Sequence, residues 1–149
     1  MCASRANEVR GAQWAEIDGN VWTVPANRMK ARIEHRVPLT GRAMKILDRA
    51  RELNGSDGLI FPAKRSGKAL SNMAFSMLLR RLELPCVMHG FRAGFRMWTM
   101  ETTATPWAVC ERALAHRLGG SQVESYARAD LLEQRRELMQ RWCDYIFGD

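Results

Sequence analysis

The chain is organised around His89-Gly90-Phe91-Arg92-Ala93-Gly94-Phe95-Arg96-Met97-Trp98, a stretch that we predict to be helical. At about 3.6 residues per turn, positions three and seven apart nearly coincide, so His89, Arg92 and Arg96 share one face. An imidazole beside two guanidiniums suits a bound phosphate, because Arg offers a planar fork of donors and His can donate or move a proton. The alternative is a solvated basic face, and the rest of the chain has to decide between the two.

Apolar residues at helical spacing predict that most of the chain is helical. Phe91, Phe95 and Trp98 are expected to anchor the helix just described. Further inward faces are Ala43, Ile46, Leu47 and Ala50 in a helix capped by Thr40 and stopped at Gly55, and Ala74, Met77, Leu78 and Leu82 in a helix capped by Ser71 and ended by Pro85. Two more inward faces are predicted. One consists of Val109, Cys110, Ala113 and Leu114 in a helix that begins at Thr105-Pro106, and the other consists of Leu131, Leu138, Trp142 and Tyr145 in a helix from Leu131 to Phe147.

A small antiparallel sheet is predicted ahead of these helices. The β-rich runs Trp14–Ile17 and Val21–Val24 flank an Asp18-Gly19-Asn20 turn, which is a strong hairpin signal. His35–Leu39 supplies a third strand after an exposed basic turn. That connection contains Arg28, Lys30 and Arg32.

Shorter segments complete the expected fold. We predict a helix over residues 6–11 capped by Asn7 or Ser4, an edge strand at residues 59–62, a basic loop at residues 63–68, and a helix begun by the capping box Ser121-x-x-Glu124. The fold class is therefore α+β, mostly α, with a three-stranded antiparallel sheet near the N-terminus.

Length and charge limit the classes of protein to consider. The 149 residues correspond to one domain, long enough to bury a core without disulfides or a structural metal. Lys and Arg total 23 against 16 acidic residues, and the net charge of +7 favours a polyanionic partner, nucleic acid first. The sequence has no secretory signal and no bilayer-spanning run, so we expect a cytoplasmic protein with no membrane partner and reduced, mostly packed cysteines.

Five short motifs follow one another along the chain. They are Arg5 with Glu8 three residues later, Lys30 ahead of His35-Arg36-Val37-Pro38-Leu39, His89-Gly90-Phe91-Arg92-Ala93, Ala113-Leu114-Ala115-His116, and Ser125-Tyr126-Ala127-Arg128-Ala129-Asp130. In this order they resemble the catalytic domain of tyrosine recombinases (phage integrases), and most closely those of prophages and genomic islands. The resemblance covers essentially the whole chain.

The resemblance implies DNA cleavage by a protein nucleophile. Tyr126 attacks the phosphate, which produces a 3′-phosphotyrosyl link and a free 5′-hydroxyl. Arg5 and Arg92 clamp the non-bridging oxygens, and His116 adds a donor as charge grows on phosphorus. No metal or other cofactor is implied.

Proton transfer is assigned by the same resemblance. Lys30 protonates the leaving 5′-oxygen, and His89 assists at the tyrosine. Arg28 and Arg32 compete with Lys30 for the role of acid, and both are candidates for contact with the DNA backbone. Arg96 is expected to contact the DNA backbone or an acidic neighbour.

Each of these residues also has a purely structural interpretation. Arg5 can be a solvated charge, and His116 can interact with carbonyls at a helix end. Tyr126 can be a buried aromatic with its hydroxyl satisfied, as we expect for Tyr145. We interpret His35, within a strand, as structural.

A zinc site is the competing interpretation of the cysteines and histidines. Cys86, His89, Cys110 and His116 supply four suitable ligands, but their spacing is irregular and no hairpin knuckle frames either pair. Ordinary packing of these residues is therefore favoured.

The resemblance also implies an organisation larger than residues 1–149. Family members carry core-binding and often arm-binding domains ahead of the catalytic domain, so we expect a fragment that lacks them and the opening helices of its own domain. The expected partners are double-stranded DNA and, in the full-length protein, three further copies in a tetramer on DNA. The isolated fragment is expected to be a monomer with its last helix folded back in cis. Alternatives are a DNA-binding module without chemistry and a topoisomerase IB-like relaxing activity.

Overall fold

The computed structural model describes residues 2–116 and 130–148. Tyr126 and the Ser121-x-x-Glu124 box lie outside this part of the chain. The described helices are α1 (Ala6–Arg10), α2 (Gly41–Asn54), α3 (Ala74–Arg81), α4 (Met88–Thr102), α5 (Trp107–Ala113) and α6 (Leu132–Phe147). The strands are β1 (Ile17–Asp18), β2 (Val21–Val24) and β3 (His35–Pro38), so the predicted fold class is confirmed.

The sheet is an antiparallel meander in the order β1-β2-β3. Its register pairs Ile17 with Trp22 and Val24 with His35. The first strand is shorter than predicted, because residues 14–16 form a 3₁₀ helix that buries Trp14. The predicted edge strand at residues 59–62 is wrong: Leu59 and Pro62 make isolated bridges, to Gln13 and Ala69 respectively, while Ile60 is buried.

Two apolar clusters stabilise the described part of the chain. The first lies between the sheet and α2 and includes Trp22, Val24 and Leu47. The second joins α4, α5 and α6 around Phe95 and Leu138. Helix α6 packs against both β3 and α5, so it connects the two clusters.

Helix α2 begins and ends as predicted. The Thr40 hydroxyl accepts from the backbone N–H of Ala43, and Gly55 ends the helix with φ 82°. Ala43, Leu47 and Ala50 are buried as expected, but Ile46 is exposed.

The prediction for α3 is wrong in its cap and in its buried face. Met73, not Ser71, is the N-cap residue, and Leu79 is the buried side chain of the helix. Met77, Leu78 and Leu82 form an exposed apolar face. The spacing correctly indicated an amphipathic helix, but spacing alone does not tell whether another element covers it.

The last two helices confirm most of their predicted faces. All four residues expected inward on α5, from Val109 to Leu114, are buried, although the N-cap is Pro106 and not Thr105. On α6, Leu138 is buried but Tyr145 is 63% exposed and stacks on Trp142 at 5.7 Å between centroids. The prediction of a buried Tyr145 is wrong because the core ends before the helix does.

Within residues 2–116 and 130–148, no helix combines the length and the hydrophobicity needed to cross a membrane. The four cysteines are free thiols; Cys110 and Cys143 are buried, and Cys86 is exposed.

Candidate active site

Helix α4 presents its faces differently from the sequence prediction. Phe95 and Trp98 are buried as expected, but Phe91 is 53% exposed and Arg92 is 7% exposed. The buried face includes residues 92, 95 and 99, which follow the spacing of three and four along one side of a helix. Arg92 thus occupies the inward position that was assigned to Phe91.

The guanidinium of Arg92 joins two distant parts of the chain. Its Nη2 donates to the Leu114 carbonyl at 2.8 Å, just after α5, and its Nη1 donates to the Ala3 carbonyl ahead of α1. Burial and the nearby Arg5 lower the pKa of Arg92, while Glu8 opposes that shift. The positive charge is therefore buried and held in a fixed position near Arg5.

Arg5 is the N-cap residue of α1, so the predicted caps, Asn7 and Ser4, are wrong. Its backbone N–H donates to Glu8 Oε2 at 2.7 Å, and its Nη1 donates to Glu8 Oε1 at 2.9 Å. A buried carboxylate thus satisfies the start of the helix and orients the Arg5 side chain in one arrangement.

The basic turn between β2 and β3 divides its cations between two roles. Arg28 ion-pairs with Glu16, and its Nη1 donates to the Glu8 carbonyl at 2.9 Å, so it stabilises the fold. Lys30 is exposed. Arg32 is also exposed, with φ 56°, and its Nη1 donates to the Asn27 carbonyl at 3.3 Å. Lys30 and Arg32 are therefore better placed than Arg28 to meet a ligand.

His116 lies directly after α5 and contacts a buried carboxylate. Its Nδ1 is 2.8 Å from Oε2 of Glu111, and Glu111 also ion-pairs with Arg96. Burial, then Arg92, Arg5 and Arg96, lower the pKa of His116. Arg96 thus has the acidic neighbour that was one of its two expected contacts.

An open cleft of about 500 Å³ brings three of the predicted site residues together. Arg5, Lys30 and His116 line it, with Ala31 and Ala115 between them. Arg92 lies beneath, because its two carbonyl partners are close in sequence to Arg5 and to His116. A second cleft of about 380 Å³ shares Arg5 and Lys30 and is also lined by Arg28 and Arg32.

Among the described residues, the predicted site residue His89 is not part of this arrangement. His89 is exposed in the first turn of α4 and lines neither cleft. Tyr126 lies outside the described residues. His35 is partly buried on β3, and its pKa falls to about 3, first because of burial and then because of Arg135, Arg5, Arg112 and Arg92.

Metal ligands do not converge in the described ranges. Among residues 2–116 and 130–148, no three His, Cys, Asp or Glu side chains are placed to hold a metal ion. Cys110 packs in the α5 core, whereas Cys86 is exposed before α4. The cations lining the cleft suit an anionic ligand such as a phosphodiester.

Sequence reasoning missed Glu111. A glutamate beside the apolar residues on the packed side of α5, five residues before a histidine, was the available signal. A buried carboxylate needs a partner, and here the partners are Arg96 and His116.

Comparison with known proteins identifies the family. The chain is 35% identical to "Prophage integrase IntA" of Escherichia coli (strain K12) over 98% of its length, and 30% identical to the integrase of Enterobacteria phage P4 over 95%. It is 29% identical to the integrase of Shigella phage Sf6 over 97%. The chain spans 36%, 37% and 39% of these three curated relatives, respectively. It matches no protein-family model and no solved structure.

The fold and the cation-lined cleft define a mostly helical domain suited to a phosphate-bearing partner. The chain belongs to the phage integrase family.

Proposed function

We propose that this chain is the catalytic domain of a site-specific DNA recombinase, which cuts and rejoins DNA through a 3′-phosphotyrosyl intermediate. The observation that carries the proposal is the cleft lined by Arg5, Lys30 and His116 above the buried charge of Arg92. The names of the relatives, integrases of phages and prophages, support the same function.

The proposed reaction begins with attack of the Tyr126 hydroxyl oxygen on the phosphorus. The bond from phosphorus to the 5′-oxygen breaks, and Lys30 supplies the proton that this oxygen takes up. The tyrosine proton passes toward His89. The phosphoester is conserved in the phosphotyrosyl link, so attack by a 5′-hydroxyl reverses the step without an external energy source.

The remaining cations stabilise the transition state. Arg5 donates to a non-bridging oxygen from an orientation set by Glu8, and His116 donates from the same cleft. Arg92 uses two of its N–H groups on backbone carbonyls and contributes charge and further donors from beneath.

We further propose double-stranded DNA as the partner, with assembly into a tetramer on DNA in the full-length protein. Helix α6 packs on its own chain, which supports a monomer for the isolated domain.

The test is covalent capture on DNA. A duplex library with randomised flanks carries one bridging 5′-phosphorothiolate, whose released thiol rejoins poorly, so adducts accumulate. We expect a denaturation-resistant adduct with the unaltered chain and none with Tyr126→Phe. The chain contains two tyrosines, and Tyr145→Phe is the matched control that should retain the adduct.

Two outcomes contradict this proposal. An adduct that persists in Tyr126→Phe eliminates the nucleophile assignment. Salt-dependent DNA binding without any adduct in the unaltered chain favours a DNA-binding module without chemistry.

A further inference from the structure

The carboxylate of Glu111 lies between a cation of α4 and the histidine of the cleft. One oxygen, Oε1, pairs with Arg96, and the other, Oε2, is 2.8 Å from Nδ1 of His116. Glu111 is buried, while the His116 side chain is 42% exposed where it lines the cleft. The histidine is thus fixed on one side and open on the other.

The tautomer of His116 follows from this geometry. Glu111 forms an ion pair with Arg96, and a carboxylate in an ion pair only accepts hydrogen bonds. Nδ1 must therefore carry the proton, which leaves Nε2 as the ring nitrogen available to the cleft. A neutral ring in this tautomer presents a lone pair at Nε2, and only the imidazolium presents a donor there.

We propose that Glu111 is a positioning residue that holds Nδ1 of His116 protonated, so that His116 binds a DNA phosphate through Nε2 as an imidazolium between two anions. The part of this inference that concerns DNA rests on the proposed function. A charged donor gives a shorter and stronger hydrogen bond to a phosphate oxygen than a neutral donor does.

The charges around His116 make its protonation depend on the ligand. Within the described residues it faces Arg5 at the start of α1, Lys30 on the β2–β3 turn, Arg92 and Arg96 on α4, and Glu111 on α5. Burial and the arginines lower its pKa, which favours the neutral ring in the free protein. A phosphate in the cleft adds a negative charge, and we expect the ring to take up a proton as the phosphate binds.

The first test is the tautomer of His116 in Glu111→Gln. The amide has one oxygen, which Arg96 claims, so its NH₂ group faces Nδ1 and requires that nitrogen to accept. We therefore expect the proton to move to Nε2. Nitrogen-15 NMR of the imidazoles reads this directly, and with three histidines in the chain the assignment is simple.

Two further variants make the comparison specific. Glu52→Gln removes the same charge from an exposed pair with Arg49 on α2 and should leave the His116 spectrum unchanged. Arg96→Leu keeps the carboxylate, so Nδ1 should stay protonated while the pKa of His116 rises, because Arg96 no longer opposes its charge. Arg96→Leu also provides a measurement if Glu111→Gln does not fold.

The second test is the pH dependence of adduct formation on the phosphorothiolate library. Well below the pKa of His116 we expect Glu111→Gln to be about ten-fold slower than the unaltered chain, since it loses one charge-assisted bond. As pH rises through that pKa, the ratio of the unaltered rate to the variant rate should fall to one or below, because the neutral ring presents a lone pair at Nε2 in the unaltered chain and an N–H there in the variant. Taking the ratio cancels the pH dependence that both chains share.

Retention of the proton on Nδ1 in Glu111→Gln overturns the inference, as does a rate ratio that stays at one across the pH range. If the unaltered chain forms no adduct, the proposed function fails. The NMR comparison then still decides whether Glu111 sets the tautomer.

Discussion

At the scale of single residues, burial separates cations that the sequence presents as equivalent. Arg28 and Arg96 pair with Glu16 and Glu111, respectively, whereas Lys30 faces the cleft. An Arg paired with a mostly buried carboxylate serves the fold, and a lysine on an exposed turn remains able to approach a ligand. This division favours Lys30 over Arg28 as the general acid.

A DNA substrate with sulfur in place of the bridging 5′-oxygen tests whether Lys30 is a general acid or only contacts the phosphate. With an ordinary phosphodiester, Lys30→Ala should slow cleavage by about 10²- to 10⁴-fold, the usual value of positioned proton transfer. With a 5′-phosphorothiolate the loss should largely disappear, because a thiol of pKa about 8.5 leaves as its anion, unlike an alcohol whose pKa is close to the 15.7 or so of water.

The matched control for this prediction is Arg32→Ala, on the same turn. Arg32→Ala should slow the cleavage of both substrates to the same extent, as expected for a residue that only contacts phosphate. Equal loss on both substrates for Lys30→Ala would show that Lys30 is not the acid.

Single residues also show where pattern reasoning is insufficient. The spacing of α4 predicted an apolar face through Phe91, but Arg92 is the buried side chain. The carbonyls of Ala3 and Leu114 make that burial favourable, and they are distant in sequence. No local pattern contains that information.

At the scale of elements, a buried arginine attaches α6 to the sheet. Arg135 is 1% exposed; its Nε donates to the Asp130 carbonyl at 2.9 Å, and its other nitrogens reach the Asp130 carboxylate and the Arg36 carbonyl. Arg36 ion-pairs with the same carboxylate at 3.0 Å. The start of α6 is therefore fixed to β3 by polar contacts as well as by packing.

Removing this attachment should destabilise the domain. We expect Arg135→Ala to lower the free energy of unfolding by about 2–4 kcal/mol, because it removes a buried side chain together with its hydrogen bonds to three partly buried acceptors. The neighbouring Arg136 pairs with Glu133 on the exposed side of α6, and Arg136→Ala should cost about 0.5 kcal/mol or less. Urea denaturation of the two variants measures both values. Equal losses of stability would show that the contacts of Arg135 do not attach α6 to the sheet.

At the scale of the whole molecule, the net charge is +7, and the fold places several of the cations on one surface. Arg5, Lys30 and Arg32 line two clefts that adjoin each other, and Arg92 adds its charge from beneath. Such a surface attracts a polyanion over a distance and releases counterions when it binds.

The salt dependence of DNA binding measures how many phosphate contacts this surface makes. If at least three cations contact phosphates, the logarithm of the DNA association constant should fall against the logarithm of salt concentration with a slope of about −3 or steeper. Lys30→Ala should reduce the slope by about one, and Lys45→Ala, exposed on α2, should leave it unchanged. Fluorescence anisotropy across a salt series gives both slopes, and a slope near zero would contradict DNA binding through the clefts.

The sequence by itself determined the types and order of most elements, because hydrophobic periodicity, the Thr40 cap and the Gly19-containing turn are local signals. Its five ordered motifs also indicated the family. Only the tertiary structure decided which faces are covered, as the exposed α3 stripe shows, and which charges meet. Packing between elements brings together Arg96, Glu111 and His116, and it brings Arg135 to the carbonyl of Arg36. That packing depends on the whole chain.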